Sequence, residues 1–272
     1  MKRIILACLF VFTIQLSYAQ DSIPAVKNDS IPAIAAQLTS GASTEAVTAY
    51  NDGHFRRAIE ILEVEKDAML KDGLESAGLY YNLGNAYFRM NDLANARLYY
   101  EKALLIDPSD RDTRHNIDYL STKIEDKILV ADTFFLNIWF RAVQNLFASN
   151  AWAIIAVVFF LTLITGLVAF FFSRSVVIKK TAFYIGIVSL VIVIFANVFA
   201  FRQKDKIENR DSAVIMVGSA SVVSSPDINS KALFVLHAGT KVYITKQDRN
   251  WLEIEIDNGS VGWIQRDKIE II

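Results

Sequence analysis

Residues 77–110 read AGLYYNLGNAYFRMNDLANARLYYEKALLIDPSD, and this stretch decides the fold of the first half of the chain. Tyr80, Leu83 and Tyr87 are spaced so that their side chains share one face of a helix. Gly84 lies on the same face and lacks a side chain, so a second helix can approach closely there. The first part of the stretch therefore predicts a helix that packs tightly against a neighbour.

The second part of the stretch predicts that neighbour. Ala96 is another small residue at a contact position, and Asn91-Asp92 marks the turn between the two helices. Pro108 cannot continue a helix, because it lacks an amide hydrogen and its ring clashes with the preceding turn. Residues 77–110 are thus predicted to form a helix–turn–helix unit.

This unit resembles a tetratricopeptide repeat, a pair of helices about 34 residues long. The residues at the signature positions of the repeat are Tyr80, Leu83, Gly84, Tyr87, Ala96, Tyr100, Ala103 and Pro108. A weaker copy fits the same register upstream at Gly53, Phe55, Ala58 and Leu62. Glu65 departs from the pattern, because it stands where the second copy has Ala103. The spacing between the copies exceeds one repeat, which predicts a longer connecting helix.

A further helix is predicted over residues 112–128. Its apolar residues are spaced for burial at Ile117, Leu120, Ile124 and Ile128. We expect this helix to cap the stack, which gives a repeat region over residues 44–130.

The resemblance implies a protein-binding surface on the concave face of the first helices. The side chains expected to project there are Tyr81, Asn82, Asn85 and Arg89. Asn82 and Arg89 could bind the backbone or a carboxylate of a partner. The alternative is that these four are solvated residues of the repeat consensus.

Apolar and aromatic residues make up 53% of the 272 residues, and three segments hold the excess over an ordinary globular chain. These segments are 4–16, 151–173 and 181–201. The last two contain no charged residue, and a charge at mid-bilayer costs at least ~2.5 kcal/mol. They predict two transmembrane helices. A buried helical hairpin in a soluble core is the alternative.

The N-terminus has the pattern of a secretory signal peptide over residues 1–19. Lys2 and Arg3 precede the apolar segment, and Ser17-Tyr18-Ala19 is a small-residue cleavage pattern. Cys8, the only cysteine of the chain, lies inside this segment. Lipidation of Cys8 is the alternative, but only a short apolar run precedes it. Cleavage after Ala19 would leave a mature chain without cysteine.

The signal peptide also predicts the topology. The connection at residues 174–180 is basic, which favours a short cytoplasmic loop, although residues 202–210 after the second span are basic too. A signal peptide translocates the region that follows it, and two spans return the C-terminus to the same side. We therefore expect a two-span protein of a bacterial inner membrane with its N- and C-terminal domains in the periplasm.

Residues 20–43 are rich in Ala, Ser and Pro and predict a disordered tether. The pentapeptide DSIPA occurs in it twice. Asp-Ser-Ile resembles the Asp-Ser/Thr-aliphatic motif of O-glycosylation in Bacteroidetes periplasms. The serines that fit this motif are Ser22, Ser30 and Ser212.

Residues 131–150 link the repeat region to the first span. Phe135, Ile138, Trp139, Val143 and Phe147 form one apolar helical face, and Trp favours the lipid headgroup zone. The segment predicts an interfacial amphipathic helix. A helix packed on the repeat region is the equally open alternative.

Residues 211–272 change to the alternating pattern of short strands separated by turns such as Asp257-Asn258-Gly259. The segments ASVVSSP (220–226), FVLHAGTKV (234–242), WLEI (251–254) and GWI (262–264) resemble a bacterial SH3 domain, which implies a small all-β barrel. Such domains bind peptides or cell-wall peptides in aromatic-lined grooves. Trp251 and Trp263 are the candidate ligand contacts. Burial of both in the core is the alternative.

Several classes of function find no support. The net charge of −1 gives no electrostatic basis for binding nucleic acid, and one cysteine cannot build a zinc–cysteine site or a disulfide. His54, His115 and His237 lie far apart, and no nucleophile–base motif or phosphate-binding glycine loop occurs. A metal at His115 is less expected than a surface helix. We expect no enzymatic activity, no metal and no cofactor.

The order of these segments predicts a multi-domain membrane protein with all-α tetratricopeptide repeats, two transmembrane helices and a C-terminal all-β SH3-like barrel. That order resembles the BatE-like proteins of the Bacteroides aerotolerance (Bat) operon family. The resemblance implies a membrane-anchored scaffold whose partners are envelope proteins, above all Bat-operon membrane proteins with von Willebrand-type domains. The second hypothesis is a peptidoglycan-binding membrane protein that acts through the SH3-like domain.

Overall fold

The computed structural model describes residues 43–128 and 135–272. The signal peptide, the tether, Ser22 and Ser30 therefore lie outside the described residues. The first described part is a helical repeat region. Its helices are α1 (Thr44–Asn51), α2 (Phe55–Lys71), α3 (Ala77–Arg89), α4 (Leu93–Ile106) and α5 (Arg111–Lys123).

Side-chain caps set the starts of the later helices. Ser76, Asp92 and Asp110 each accept a hydrogen bond from a backbone amide in the first turn of α3, α4 and α5. Asn91 adopts a left-handed φ of 60°, which Asn tolerates better than most residues, and so reverses the chain between α3 and α4. The predicted turn at Asn91-Asp92 has this physical basis.

The close approach of α3 and α4 occurs at Gly84. A Cβ atom on Gly84 would lie 2.5 Å from Cδ1 of Tyr100, so the ring of Tyr100 fills the space that a side chain would need. Tyr100 is fully buried, and its hydroxyl donates a hydrogen bond to Oδ1 of Asn85 at 2.7 Å. Nδ2 of Asn116 donates to the same oxygen at 3.1 Å. The repeat core thus contains a buried network of uncharged polar groups.

Helix α5 is shorter than the predicted 112–128. It ends at Lys123, and Ile124 is extended. Nζ of Lys127 then folds back and donates to the carbonyl oxygens of Ser121, Thr122 and Ile124. Ile124 still packs in the repeat core, but Ile128 packs against the core of the C-terminal domain. The chain leaves the helix where it meets that domain.

Three helices follow: α6 (Phe135–Gln144), α7 (Ser149–Phe172) and α8 (Val176–Asn209). Helices α7 and α8 are long and apolar enough to span a membrane. Only 6% of the most apolar window of α7 and 17% of that of α8 is buried, which disfavours a buried hairpin in a soluble core. Residues 173–175 alone connect them, so Lys179 and Lys180 lie on α8 rather than in the predicted loop.

Helix α6 packs on the base of this hairpin. Its Phe140 ring lies edge-on to Phe199 with the ring centroids 4.9 Å apart, while Trp139 stays 61% exposed. Nε2 of Gln203 on α8 donates to the carbonyl oxygens of Gln144 and Phe147 at 2.7 and 2.9 Å. The observed contacts of α6 are with the hairpin, and its interfacial position stays a prediction.

The C-terminal domain is a seven-stranded antiparallel sheet in the order β3-β2-β6-β5-β4-β1-β7. The strands are β1 (Ser212–Ile215), β2 (Ser219–Val223), β3 (Ala232–His237), β4 (Lys241–Asp248), β5 (Trp251–Glu255), β6 (Val261–Gln265) and β7 (Ile269–Ile271). Alternate residues point into its core, as strand geometry requires. The fully buried members include Ile215, Val222, Val242, Ile254 and Ile264.

Candidate functional site

A cavity of about 630 Å³ opens beside the N-terminal ends of α3 and α5; we call it the Tyr81 groove. Its walls come from the end of α2, the start of α3 and the loop before α5, and no described residue of the sheet domain lines it. The lining residues that carry the argument are Met69, Tyr81, Glu75, Asp107, Asp110 and Asp112. The groove therefore combines an aromatic surface with four carboxylates.

Three of these carboxylates are held in place by the fold. Glu75 accepts a hydrogen bond from the Tyr80 hydroxyl at 2.8 Å, and Asp107 accepts from the Ser109 hydroxyl at 2.6 Å. The side chain of Asp110 caps α5. Glu75 is already paired with Arg210, so the three aspartates carry the net negative charge of the groove. That charge favours a partner that carries Lys or Arg.

The four residues predicted to face a partner do not form one continuous surface. Tyr81 lines the Tyr81 groove, whereas Asn82 and Asn85 are fully buried. Arg89 is exposed at the other end of α3, where its guanidinium lies over the ring of Phe55 at 4.4 Å. A partner in the groove would meet Tyr81 rather than the two amides, because the amides have no exposed surface. Partner binding by these residues stays a prediction.

Helix α4 is covered by the sheet domain along a contact that we call the helix–sheet interface. Leu98 of α4 packs with Val214 of β1 and with Ile272, with Leu105 and Met216 at the margin. Leu98 is 4% exposed, and Val214 and Ile272 are 0% and 1% exposed. Burial of these three side chains contributes roughly 1.5–3 kcal/mol each, which makes this contact a stable one.

A buried charged triad crosses the helix–sheet interface. Oε2 of Glu101 on α4 accepts from Nζ of Lys241 on β4 at 2.7 Å, and Oε1 accepts from Nε of Arg97 at 2.8 Å. Although burial opposes ionisation, the charges of Lys241 and Arg97 lower the pKa of Glu101 to about 2. Glu101 is therefore ionised at any physiological pH, and each charge of the triad has a partner.

A second polar contact lies where α5 ends. Oδ2 of Asp126 accepts from the backbone amide of His237 at 2.7 Å and from the hydroxyl of Thr240 at 2.6 Å, while Oδ1 pairs with Nδ1 of His237 at 2.7 Å. Although partial burial opposes ionisation, the hydrogen bonds from Thr240 and His237 lower the pKa of Asp126. The hydrogen bond to Asp126 in turn raises the pKa of His237.

The outer face of the sheet carries both predicted aromatic residues. Trp251 on β5 pairs with Gln265 on β6, and Trp263 pairs with Glu253, so the two indoles lie diagonally across neighbouring strands. Both are half-buried and point away from the core side chains Leu252, Ile254 and Ile264. Glu253 lies next to both indoles, two residues from Trp251 on β5 and directly opposite Trp263 on β6.

Glu253 is the charged residue beside the two indoles. It forms an ion pair with Lys246 at 2.9 Å and accepts from the hydroxyl of Thr245 at 2.8 Å. These hydrogen bonds lower the pKa of Glu253, with Lys246 the larger cause. Two aromatic surfaces beside a fixed carboxylate can receive a peptide, and ligand contact by Trp251 and Trp263 stays a prediction.

Comparison with known families identifies both modules. Residues 77–110 match the tetratricopeptide repeat, and residues 218–270 match the bacterial SH3 domain. No curated protein matches the chain. The match confirms the predicted fold class, including the helical repeats and the C-terminal SH3 domain. Both families are binding modules, which suggests interaction with proteins and, for the SH3 domain, with cell wall.

The helix–sheet interface joins the tetratricopeptide repeat region to the SH3 domain, and the sequence did not reveal it. Glu101 and Lys241, like Asp126 and His237, lie more than a hundred residues apart with no motif that relates them. Gly239 is the one local signal: it adopts a φ of +87°, and a Cβ atom there would lie 3.0 Å from Cδ1 of Ile124. The β3–β4 turn needs a glycine to fit against the end of α5.

Two further predictions concern modification and metal binding. Ser212 is half-buried at the start of β1, where its carbonyl oxygen accepts from the amide of Ile272. Its O-glycosylation stays a prediction. Among residues 43–128 and 135–272, no group of three His, Cys, Asp or Glu residues could hold a metal ion.

Proposed function

We propose that this protein is a non-enzymatic, membrane-anchored scaffold that binds envelope proteins through its repeat region and its SH3 domain. The observation that carries the proposal is the way the two modules meet. The SH3 domain covers α4 and leaves the Tyr81 groove free of any described residue of the sheet. A repeat region whose outer helix is occupied and whose groove is open is suited to receive a second protein.

The same contact supports the proposed topology. The repeat region precedes α7 and the SH3 domain follows α8, yet Glu101 and Lys241 form a hydrogen bond at 2.7 Å. If α7 and α8 both span the membrane, the two modules lie on one side of it. The proposed signal peptide makes that side the periplasm of a bacterial inner-membrane protein.

Photocrosslinking in living cells tests the scaffold proposal. A photoreactive amino acid replaces Tyr81 in the full chain, and the control places it at Glu60, an exposed residue of α2 outside the groove. We expect the Tyr81 position to give a discrete crosslinked envelope protein, identified by mass spectrometry, and the Glu60 position to give only background. Equal background at both positions would remove the groove as a binding site.

The resemblance to the BatE-like proteins supports a narrower version of the scaffold. In that version the partners are Bat-operon membrane proteins with von Willebrand-type domains, and the assembly is associated with aerotolerance. Co-purification of the full chain from detergent with those proteins tests it. Recovery of other envelope proteins only would keep the scaffold and reject the aerotolerance assembly.

The second candidate function is binding of peptidoglycan by the SH3 domain, favoured by the diagonal pair Trp251 and Trp263 on its outer face. The full chain in detergent is sedimented with purified peptidoglycan. We expect Trp251→Ala and Trp263→Ala each to leave more protein in the supernatant, whereas Val261→Ala, an exposed change on the same face, leaves the pelleted fraction unchanged. A wild-type chain that stays in the supernatant excludes this function.

A further inference from the structure

A second cavity, of about 640 Å³, lies where the spans, the repeat region and the SH3 domain meet; we call it the membrane-side cavity. Arg141 of α6 and Arg202 and Lys206 of α8 line one side of it. Arg202 directly follows the uncharged run 181–201, and Lys206 lies one turn further on the same helical face. This basic wall therefore stands where a hydrocarbon-length segment ends, at the level of lipid headgroups.

Apart from Glu101, three acidic residues also line the membrane-side cavity, together with the cationic Lys241 and Arg114, and we call these three acidic residues the acidic wall. They are Asp211, just before β1, and Glu255 and Asp257, at the β5–β6 turn. Among the described charged side chains that line the cavity, Glu101 and Lys241 are the one pair that lies within the 4.0 Å of an ion pair. The basic wall and the acidic wall thus face one cavity without pairing with each other.

A buried amide beside the basic wall also lacks a partner. Gln144 lines the cavity and is 2% exposed, yet its Nε2 donates to no described acceptor. The backbone at Gln144 is held in place, because its main-chain carbonyl oxygen accepts from Nε1 of Trp152 and Nε2 of Gln203 at 2.9 and 2.7 Å. A buried donor without an acceptor costs free energy, and an anionic oxygen in the cavity would relieve that cost once the Gln144 side chain turned toward it, because its Nε2 has almost no accessible surface in this arrangement.

We propose that the membrane-side cavity binds the headgroup of an aminophospholipid, with its phosphate on Arg141, Arg202 and Lys206 and its primary ammonium toward Asp211, Glu255 and Asp257. Guanidinium and ammonium groups bind phosphate through charge-assisted hydrogen bonds. The carboxylates match a primary ammonium, which offers three N–H donors, better than a trimethylammonium, which offers none. The exposed Trp139 on α6 favours the same headgroup zone.

Native mass spectrometry of the full chain in detergent tests the assignment with three lipids of equal acyl chains: phosphatidylethanolamine, phosphatidylcholine and phosphatidylglycerol. We expect phosphatidylethanolamine to bind most tightly. The double variant Arg141→Gln/Lys206→Gln should lower its affinity by about tenfold or more, as for the loss of hydrogen bonds to a charged group. The matched control Lys204→Gln/Arg266→Gln removes one Lys and one Arg from exposed positions outside the cavity and should retain the wild-type affinity.

A second variant pair tests each half of the site. Glu255→Gln/Asp257→Asn should remove the preference for phosphatidylethanolamine over phosphatidylcholine while phosphate binding persists, and Arg141→Lys/Lys206→Arg should keep the wild-type pattern. Equal affinity for the three lipids, or no difference between the cavity variant and its control, overturns the proposal. Competition by inorganic phosphate at concentrations equal to that of the lipid would assign a soluble phosphate site instead. Because no protein partner takes part, this result is independent of the scaffold proposal.

Discussion

The core of the repeat region and the helix–sheet interface are both buried, but different forces hold them. In the repeat core, Tyr100 packs on Gly84 and its hydroxyl is satisfied by Asn85, a neutral amide. At the helix–sheet interface, ionised Glu101 lies between Lys241 and Arg97. Close packing without charge responds little to pH, whereas the contact between the modules also contains the titratable pair His237 and Asp126, whose pKa values are shifted by that contact. The interface can therefore open under conditions in which the repeat itself stays folded.

The largest expected effect is on the charged triad. Glu101→Gln leaves Lys241 and Arg97 buried without their carboxylate, which costs about 3–5 kcal/mol. Spin labels at Arg111→Cys and Asn258→Cys, both exposed, report the separation of the two modules, and Cys8 is the only native cysteine. We expect the variant to broaden and lengthen the measured distance distribution.

A charge-free triad provides the control for that experiment. The triple variant Arg97→Met/Glu101→Leu/Lys241→Met removes all three charges and should restore the short distance, because apolar groups of similar volume can replace a buried ion cluster. An unchanged distance in Glu101→Gln would show that the apolar contact of Leu98 with Val214 and Ile272 holds the interface alone.

A smaller effect is expected in the repeat core. Gly84→Ala places a methyl group 2.5 Å from the ring of Tyr100 and should destabilise the region by about 1–3 kcal/mol through overpacking. Hydrogen exchange of the α3 and α4 amides measures it. Gly218→Ala is the matched control, because a Cβ atom there meets nothing within 4 Å. Equal protection in the two variants would contradict the close approach at Gly84.

The pH dependence separates the two regions further. Asp126 raises the pKa of His237. The stability that His237 adds to the helix–sheet interface is therefore complete below the ordinary histidine pKa of 6.5 and is lost as pH rises through the raised pKa. The pKa of Asp126 is lowered, so the stability that this carboxylate adds to the helix–sheet interface is lost only as pH falls below 3.8, the ordinary pKa of an aspartate. Glu125, 3.4 Å from Nε2 of His237, acts in the same direction as Asp126.

We therefore expect the helix–sheet interface to be tightest in weakly acidic solution and to loosen toward alkaline pH. The same pair of spin labels measures this, and His237→Gln should remove the loosening between neutral and alkaline pH. Amide protection in α3 should remain constant over that range. A repeat core that loosens in parallel would break the distinction between the two regions.

The smallest effect is expected for an exposed ion pair. Arg57 and Glu45 lie 2.9 Å apart, but their side chains are 60% and 66% exposed. Because water and salt screen such a pair, Arg57→Gln should leave the melting temperature of the full chain unchanged. A clear loss of stability would show that burial does not decide which charges matter in this protein.

Local periodicity was sufficient to predict the elements and their small contact residues. The spacing of Tyr80, Leu83 and Gly84 predicted the packing face of α3, and strand alternation separates Trp251 from its buried neighbour Leu252. The end of α5 could not be predicted in this way, because the SH3 domain supplies the partners of Asp126. The same holds for Asn82 and Asn85: the repeat pattern gives their register, but burial depends on the neighbouring helices.

Under the proposed topology, helix α8 sets how far from the bilayer the two modules stand. Its 34 residues continue without a break to Asn209, and the left-handed Arg210, which binds Glu75 at 2.5 Å, fixes its end beside the loop before α3. The part beyond residue 201 rises only about 12 Å at 1.5 Å per residue. A protein that enters the Tyr81 groove must therefore present its binding segment close to the membrane surface, so short juxtamembrane segments of other membrane proteins can reach it more readily than the interior of a large soluble protein.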